Sequence, residues 1–277
     1  MQSKNNFNIE QATLSNPTKD IFLNKLLKGI AKNGIGIVGT IGVGKSYLMQ
    51  QKAKENLANG KKVIYIDFLD CDFFNEIKAE KVKIENLASD FEDIILNNQF
   101  IYIPIEFLKK TEKRYIIKKI KSAITNIKNN NITFYFGEVF SLLGLKDLIY
   151  HLDVFSLFGL KDLIYHLKGK YQHYISTQTI NEFEDYTNRK RLNENNDFFN
   201  NTRFFNLVDT YIFMRKYSRF NLPKEFSKDE ITHFKAKFNS AGVTKVKKIN
   251  YENSNIEYLE NEIKNLNKGE IIISTIF

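Results

Sequence analysis

Gly39-Thr40-Ile41-Gly42-Val43-Gly44-Lys45-Ser46 has the spacing G-x-x-x-x-G-K-[ST], and it stands between an apolar run, Ile35 to Val38, and a helix-like stretch beginning at Tyr47. Those residue types state a chemistry. Glycines let consecutive backbone N–H groups curl around a phosphate, Lys45 reaches the β and γ phosphates, and the Ser46 hydroxyl is offered to Mg²⁺. The positive end of the following helix faces the same anion. Residues 39 to 47, Tyr47 included, are therefore the expected cradle for ATP or a related triphosphate. A chance match in a glycine-containing loop is the plain alternative, and the strand-loop-helix setting favours the functional reading.

Such a loop needs acidic partners at neighbouring strand tips, one carboxylate to help hold Mg²⁺ and another to orient the attacking water. Ile132-Thr133-Phe134-Tyr135-Phe136-Gly137-Glu138 is the best candidate, and Glu138 is the residue expected to polarise water. An ordinary glutamate at a helix start is its alternative. A further strand, His173-Tyr174-Ile175-Ser176, runs into Thr177-Gln178. A polar group at that tip could contact the γ phosphate, or Thr177 could cap the next helix.

The elements that must position these groups follow from hydrophobic pattern. Residues 1 to about 17 are Asn/Ser/Gln-rich and expected to be a loose arm, followed by a helix on Ile21, Leu23, Leu26, Leu27 and Ile30. Tyr47 to Asn59 reads as helix, stops at Gly60, and passes into the buried strand Val63 to Asp67. That β-α-β unit implies a parallel sheet with its ligand at the strand carboxyl ends. Phe100 to Pro104, Ile132 to Phe136, His173 to Ser176, Thr210 to Met214 and Ile271 to Ser274 are further strands. Ile116, Ile117, Ile120, Ala123, Ile124 and Ile127 form one helical stripe, with Lys110, Arg114, Lys118 and Lys121 opposite. This basic face is either merely solvated or tracks phosphates.

A tandem repeat interrupts the pattern: Val139 to Leu152 returns at Val154 to Leu167 with only Leu143 changed, to Phe158. It reads as a tolerated insertion with a helix break near Asp153. His151 and His166 within it match no metal-ligand spacing. The expected organisation is an arm and helix over 1–33, a core over 34–220 that carries the 139–167 duplication, and a C-terminal extension over 221–277. In that extension Lys245, Lys247 and Lys248 precede an acidic helix, Asn255 to Asn265, and the segment either completes the sheet or mediates contacts in a ring.

With 277 residues, 43% hydrophobic, the chain can bury a large core. One cysteine, Cys71, excludes an internal disulfide and fits a reducing cytoplasm. No run approaches the length of an apolar membrane span, and Met1 to Glu10 lacks a signal-peptide core, so a soluble, cytoplasmic protein is expected. The net charge of +9 favours an acidic partner such as nucleic acid.

With these segments in order, the chain resembles the FtsK-HerA superfamily of DNA-pumping ATPases, which includes chromosome translocases, conjugative coupling ATPases and viral genome-packaging motors. The resemblance runs through Gly39 to Ser46, Ile64-Tyr65-Ile66-Asp67, Phe134 to Glu138 and Ile175-Ser176-Thr177-Gln178, over roughly residues 30 to 215. The glutamine after the fourth strand, Gln178, gives it specificity. Asn201-Thr202-Arg203 and the late Lys268-Gly269-Glu270-Ile271-Ile272 add to it.

The resemblance implies an α/β, RecA-like P-loop NTPase fold with a mostly parallel central sheet, the glutamine strand lying between the phosphate-loop strand and the acidic strand. It also implies that Lys45 stabilises transferring charge, Ser46 binds Mg²⁺, Glu138 orients water and Gln178 sits beside the γ phosphate. A homo-oligomeric ring, a hexamer in that family, would move double-stranded DNA, docked to a virion or transfer apparatus, and a neighbouring subunit would supply Arg203 or Arg215. The chain departs from the family in having Gly137 where Asp is usual, and Asp67 could substitute as a Mg²⁺ partner through a bridging water. A helicase-loader-like ATPase and a nucleotide-binding structural subunit without turnover are the other readings.

Overall fold

The computed structural model describes residues 34–68, 80–81, 91–105, 110–127, 131–138, 154–178, 208–215, 222, 226, 231–239, 242–249 and 256–276. Apolar, β-branched and aromatic runs form the strands β1 (Gly34–Val38), β2 (Lys62–Asp67), β4 (Phe100–Pro104), β5 (Ile132–Gly137), β6 (Gln172–Thr177) and β7 (Thr210–Met214). Nearly every position in them is buried, as expected of strands covered on both faces. A two-residue strand, β3 (Glu80–Lys81), borders β4.

The ten described strands make one sheet in the order β3-β4-β2-β5-β6-β1-β7-β10-β8-β9, completed by β8 (Ile231–Asn239), β9 (Gly242–Ile249) and β10 (Glu270–Ile276). From β3 to β7 every pairing is parallel, and the last three strands add antiparallel. This is a mixed α/β sheet of RecA-like type. β6 lies between β1 and β5, the placement that the resemblance implies.

Strand residues alternate between two core layers. One holds Ile35, Ile37, Val63, Tyr65, Tyr102, Tyr135 and Tyr174 against Leu48, Met49 and Ala53 of helix α1 (Lys45–Ala58). The opposite layer packs Ile64, Ile66, Phe134, Phe136 and Ile175 against helices α2 (Phe91–Asn97), α3 (Lys110–Asn126), α4 (Val154–Leu167) and α5 (Ile256–Lys264). The isoleucine stripe of α3 is buried in full, while Lys118 is exposed and Lys121 pairs with Asp162 of α4. Part of the expected basic face is therefore spent on holding two helices together.

α4 is the second copy of the repeat, and its Leu160, Leu163, Ile164 and Leu167 fill the core. The first copy, with its His151, lies outside the described residues, as do residues 1–33, Cys71 and Asn201 to Arg203. No described helix is long and apolar enough to cross a membrane.

Beyond residue 221, β10 pairs with β7 on one side and β8 on the other. His233 of β8 is 3% exposed, with Nδ1 2.7 Å from Ser274 Oγ. Burial pushes its pKa down to about 4, against a hydrogen bond to the Phe226 backbone that acts the other way. An unfolded histidine titrates near 6.5, so between pH about 6.5 and 4 the unfolded chain takes up a proton that the fold refuses. The contribution is complete above that window and is lost progressively toward acid, by roughly 3 kcal/mol at its lower end. Urea melts of wild type and His233→Gln across the window are expected to show a shallower pH slope in the variant.

Candidate active site

The strand carboxyl ends of β1, β5 and β6 converge on the phosphate loop. β1 delivers the chain to Gly39, whose N–H donates to the Thr177 carbonyl at 3.2 Å, tying the loop to the tip of β6. Thr40 ties it to β7: its N–H and Oγ1 both donate to the Arg215 carbonyl, at 3.4 and 3.1 Å. A Cβ on Gly39 would lie 2.9 Å from the Val43 side chain and 3.0 Å from Met214, so the loop closes on itself only with glycine there. Gly44, at φ 102°, is the cap of α1 and adopts a backbone open to glycine at little cost. Ile41 projects into solvent at 78% exposure.

Lys45 opens α1 and is 3% exposed. Its ammonium donates to the Thr40 carbonyl at 3.0 Å and pairs with Glu138 Oε1 at 3.0 Å. The two residues singled out for phosphate and water chemistry are thus in direct contact. Glu138 follows β5 and has φ 52°, a left-handed conformation that strains a residue with a side chain. Its N–H is held by Ser176 Oγ at 2.7 Å, which fixes the turn that aims the carboxylate at the phosphate loop. Ser176 carried no signal of this role in the sequence beyond being a small polar residue in a buried strand.

Ser46 and Gln178 are half-buried, the first in the opening turn of α1 and the second just past β6. Val38 is in register with Thr177, so Gln178 lies at the strand tip between the phosphate loop and the Glu138 turn. Asp67 ends β2 in register with Gly137 and is 2% exposed, with Oδ2 accepting from the Tyr102 hydroxyl at 2.8 Å. Tyr47 packs edge-on against Phe238, with ring centroids 6.1 Å apart, and so links the loop to β8. Arg215 follows β7 and uses its carbonyl within its own subunit's loop; Arg203 lies outside the described residues.

Among the described residues no cluster of three His, Cys, Asp or Glu residues could cage a metal ion. A hydrated Mg²⁺ needs no cage, since it takes one or two protein oxygens and completes its shell with phosphates and water. A hydroxyl at Ser46 and a carboxylate at Asp67 are oxygen donors of the type that smaller demand takes.

No protein-family model and no curated protein matches the chain. Among solved structures, the genome-packaging NTPase B204 of Sulfolobus turreted icosahedral virus 2, in complex with AMPPCP, is similar at 11% identity and TM-score 0.44, over 88% of this chain and 93% of that one. A KaiC-like protein from Pyrococcus horikoshii OT3 is similar at 11% identity and TM-score 0.43, over 83% and 97%. The same viral NTPase with ATP-gammaS gives 12% identity and TM-score 0.38 over 76% and 80%. Strand order, register and the phosphate loop define the fold.

Proposed function

We propose that the protein is an ATP-hydrolysing motor that moves double-stranded DNA, working as a ring of identical subunits. The observation that supports it best is the Lys45–Glu138 contact at the tips of α1 and β5, with the Gln178 strand between the phosphate loop and Glu138. Residues 39 to 47 hold the triphosphate through backbone N–H groups. A γ phosphate competes with Glu138 for the Lys45 ammonium, and the displaced carboxylate becomes available to orient water.

That water attacks the γ phosphorus as the bond to the β–γ bridging oxygen breaks; the bond's electron pair leaves with ADP, and the water's proton passes through Glu138 to solvent. Gln178 contacts the γ phosphate or the water. Ser46 and Asp67 would hold Mg²⁺, which supplies charge neutralisation on the phosphoryl oxygens when bound. Arg203, or the Arg215 side chain, would reach a neighbouring subunit's site.

The DNA half of the proposal leans on the net charge of +9 and on the resemblance carried by Gln178. It is tested by steady-state ATP hydrolysis with and without double-stranded DNA. Turnover is expected to rise with DNA, and the stimulation to fall steeply with added salt because phosphate contacts release counterions. Lys45-dependent turnover that ignores DNA at every salt concentration would leave an ATPase without the motor function. Binding without any turnover would instead favour the structural subunit.

A further inference from the structure

Residue 137 ends β5 where a phosphate-loop NTPase calls for a Mg²⁺-supporting carboxylate, and it is glycine. The reason is space. A Cβ on Gly137 would lie 2.8 Å from the Tyr65 hydroxyl oxygen and 3.1 and 3.2 Å from two carbons of that ring. Backbone conformation is not the cause, because Gly137 is absent from the positive-φ glycines among the described residues. Glycine is needed at 137 so that the Tyr65 phenol can be where it is.

Tyr65 is 3% exposed and belongs to a row of tyrosines across four adjacent strands. Its ring stacks on Tyr135 at 5.8 Å and 10°, and meets Tyr102 at 6.1 Å and 35°. Tyr102 in turn donates to Asp67. Strand alternation puts residues 65, 67, 102, 135 and 137 on the sheet face covered by α1, the helix that begins with Lys45 and Ser46. On that face a phenol hydroxyl occupies the place where a side chain at 137 would emerge. A carboxylate, Asp67, stands one strand away.

We propose that Tyr65 is a positioning residue for the nucleotide-bound cation: its hydroxyl replaces the side chain of residue 137 as hydrogen-bond partner to the cation's water shell, while Asp67 provides the negative charge. This rests on the nucleotide-site reading above. A hydroxyl can accept from or donate to a coordinated water but brings no charge, so the arrangement divides between two residues what one aspartate does alone. It also makes positions 65 and 137 interdependent: a side chain can be introduced at 137 only if the one at 65 is shortened.

The test is Mg²⁺-dependent binding of a fluorescent ATP analogue, with thermal melts as a second readout and no reliance on turnover. Wild type is expected to bind the analogue and Lys45→Ala to lose most of that binding. Tyr65→Phe keeps the ring and should bind the analogue equally in EDTA, yet need about threefold to tenfold more Mg²⁺ for its cation-dependent gain. Gly137→Asp alone should melt lower because the aspartate collides with Tyr65. The double variant Tyr65→Ala, Gly137→Asp should need less Mg²⁺ than Tyr65→Ala. An unchanged Mg²⁺ requirement in Tyr65→Phe, or Gly137→Asp melting like wild type, would overturn the role of Tyr65 while leaving Lys45-dependent binding intact. Binding that is absent from wild type or indifferent to Lys45→Ala would bring down the nucleotide site and this inference together.

Discussion

Glu138→Gln is expected to lower ATP turnover by roughly two to four orders of magnitude, the usual worth of a group that handles the proton of an attacking water. Nucleotide binding should survive, because the amide keeps an oxygen but cannot take a proton. Lys45→Ala should lose binding as well as turnover, since in the proposed function the ammonium is the group that reaches the phosphates. Equilibrium binding and single-turnover hydrolysis on both proteins separate the two defects. The 3.0 Å pair adds a stability signature: with side chains 3% and 9% exposed, either substitution alone strands a buried charge. Without nucleotide, the double variant should therefore be less destabilised than the sum of the singles. Additive losses would mean that the contact does not couple the two residues.

The second large effect is on the fold. Tyr135 is fully buried, stacks on Tyr174 with centroids 4.7 Å apart, and accepts from Asn56 Nδ2 at 2.7 Å. Burial holds its phenol far above the ordinary tyrosine range, so it stays neutral at any working pH. Tyr135→Ala is expected to cost about 3–5 kcal/mol in urea unfolding, from lost burial and the cavity left behind. Tyr135→Phe should cost about 1–3 kcal/mol, chiefly by leaving the Asn56 amide without this acceptor. Because Tyr135 shares a core layer with Leu48 and Met49, the alanine variant should also loosen α1 and weaken nucleotide binding. Equal unfolding midpoints for Tyr135→Ala and wild type would contradict this account of the layer.

What the sequence disclosed depended on how local the signal was. The parallel strands are continuous apolar runs, and the phosphate loop is a spacing pattern, so both could be read directly. β8 and β9 were not predicted as strands. Phe234, Ala236 and Phe238 alternate with Lys235 and Lys237 and would have marked β8. In β9 the period of two fails, because Lys245 takes φ 51° and the pairing register shifts opposite Lys235 and Lys237. Val243, Val246 and Ile249 stand three apart in the sequence, a spacing that resembles no strand. At the candidate site, Lys45, Ser46, Glu138 and Gln178 are proposed from type and order alone. The Ser176 bond to Glu138 and the Tyr65 phenol against Gly137 join residues far apart in the chain, and no pattern along one strand announces them.

The position of β10 has a consequence for synthesis. It is made after both strands it adjoins, yet it lies between β7 and β8 and joins the parallel part of the sheet to the β8–β9 hairpin. Until residues 270–276 are available, β7 is an open edge of apolar residues, Tyr211 to Met214, and β8 has no partner on its β10 side. A chain released early would expose both edges, the condition under which sheets pair with the wrong molecule. Arrival of β10 therefore closes the fold as a bolt does, from the inside of the sheet rather than at its rim.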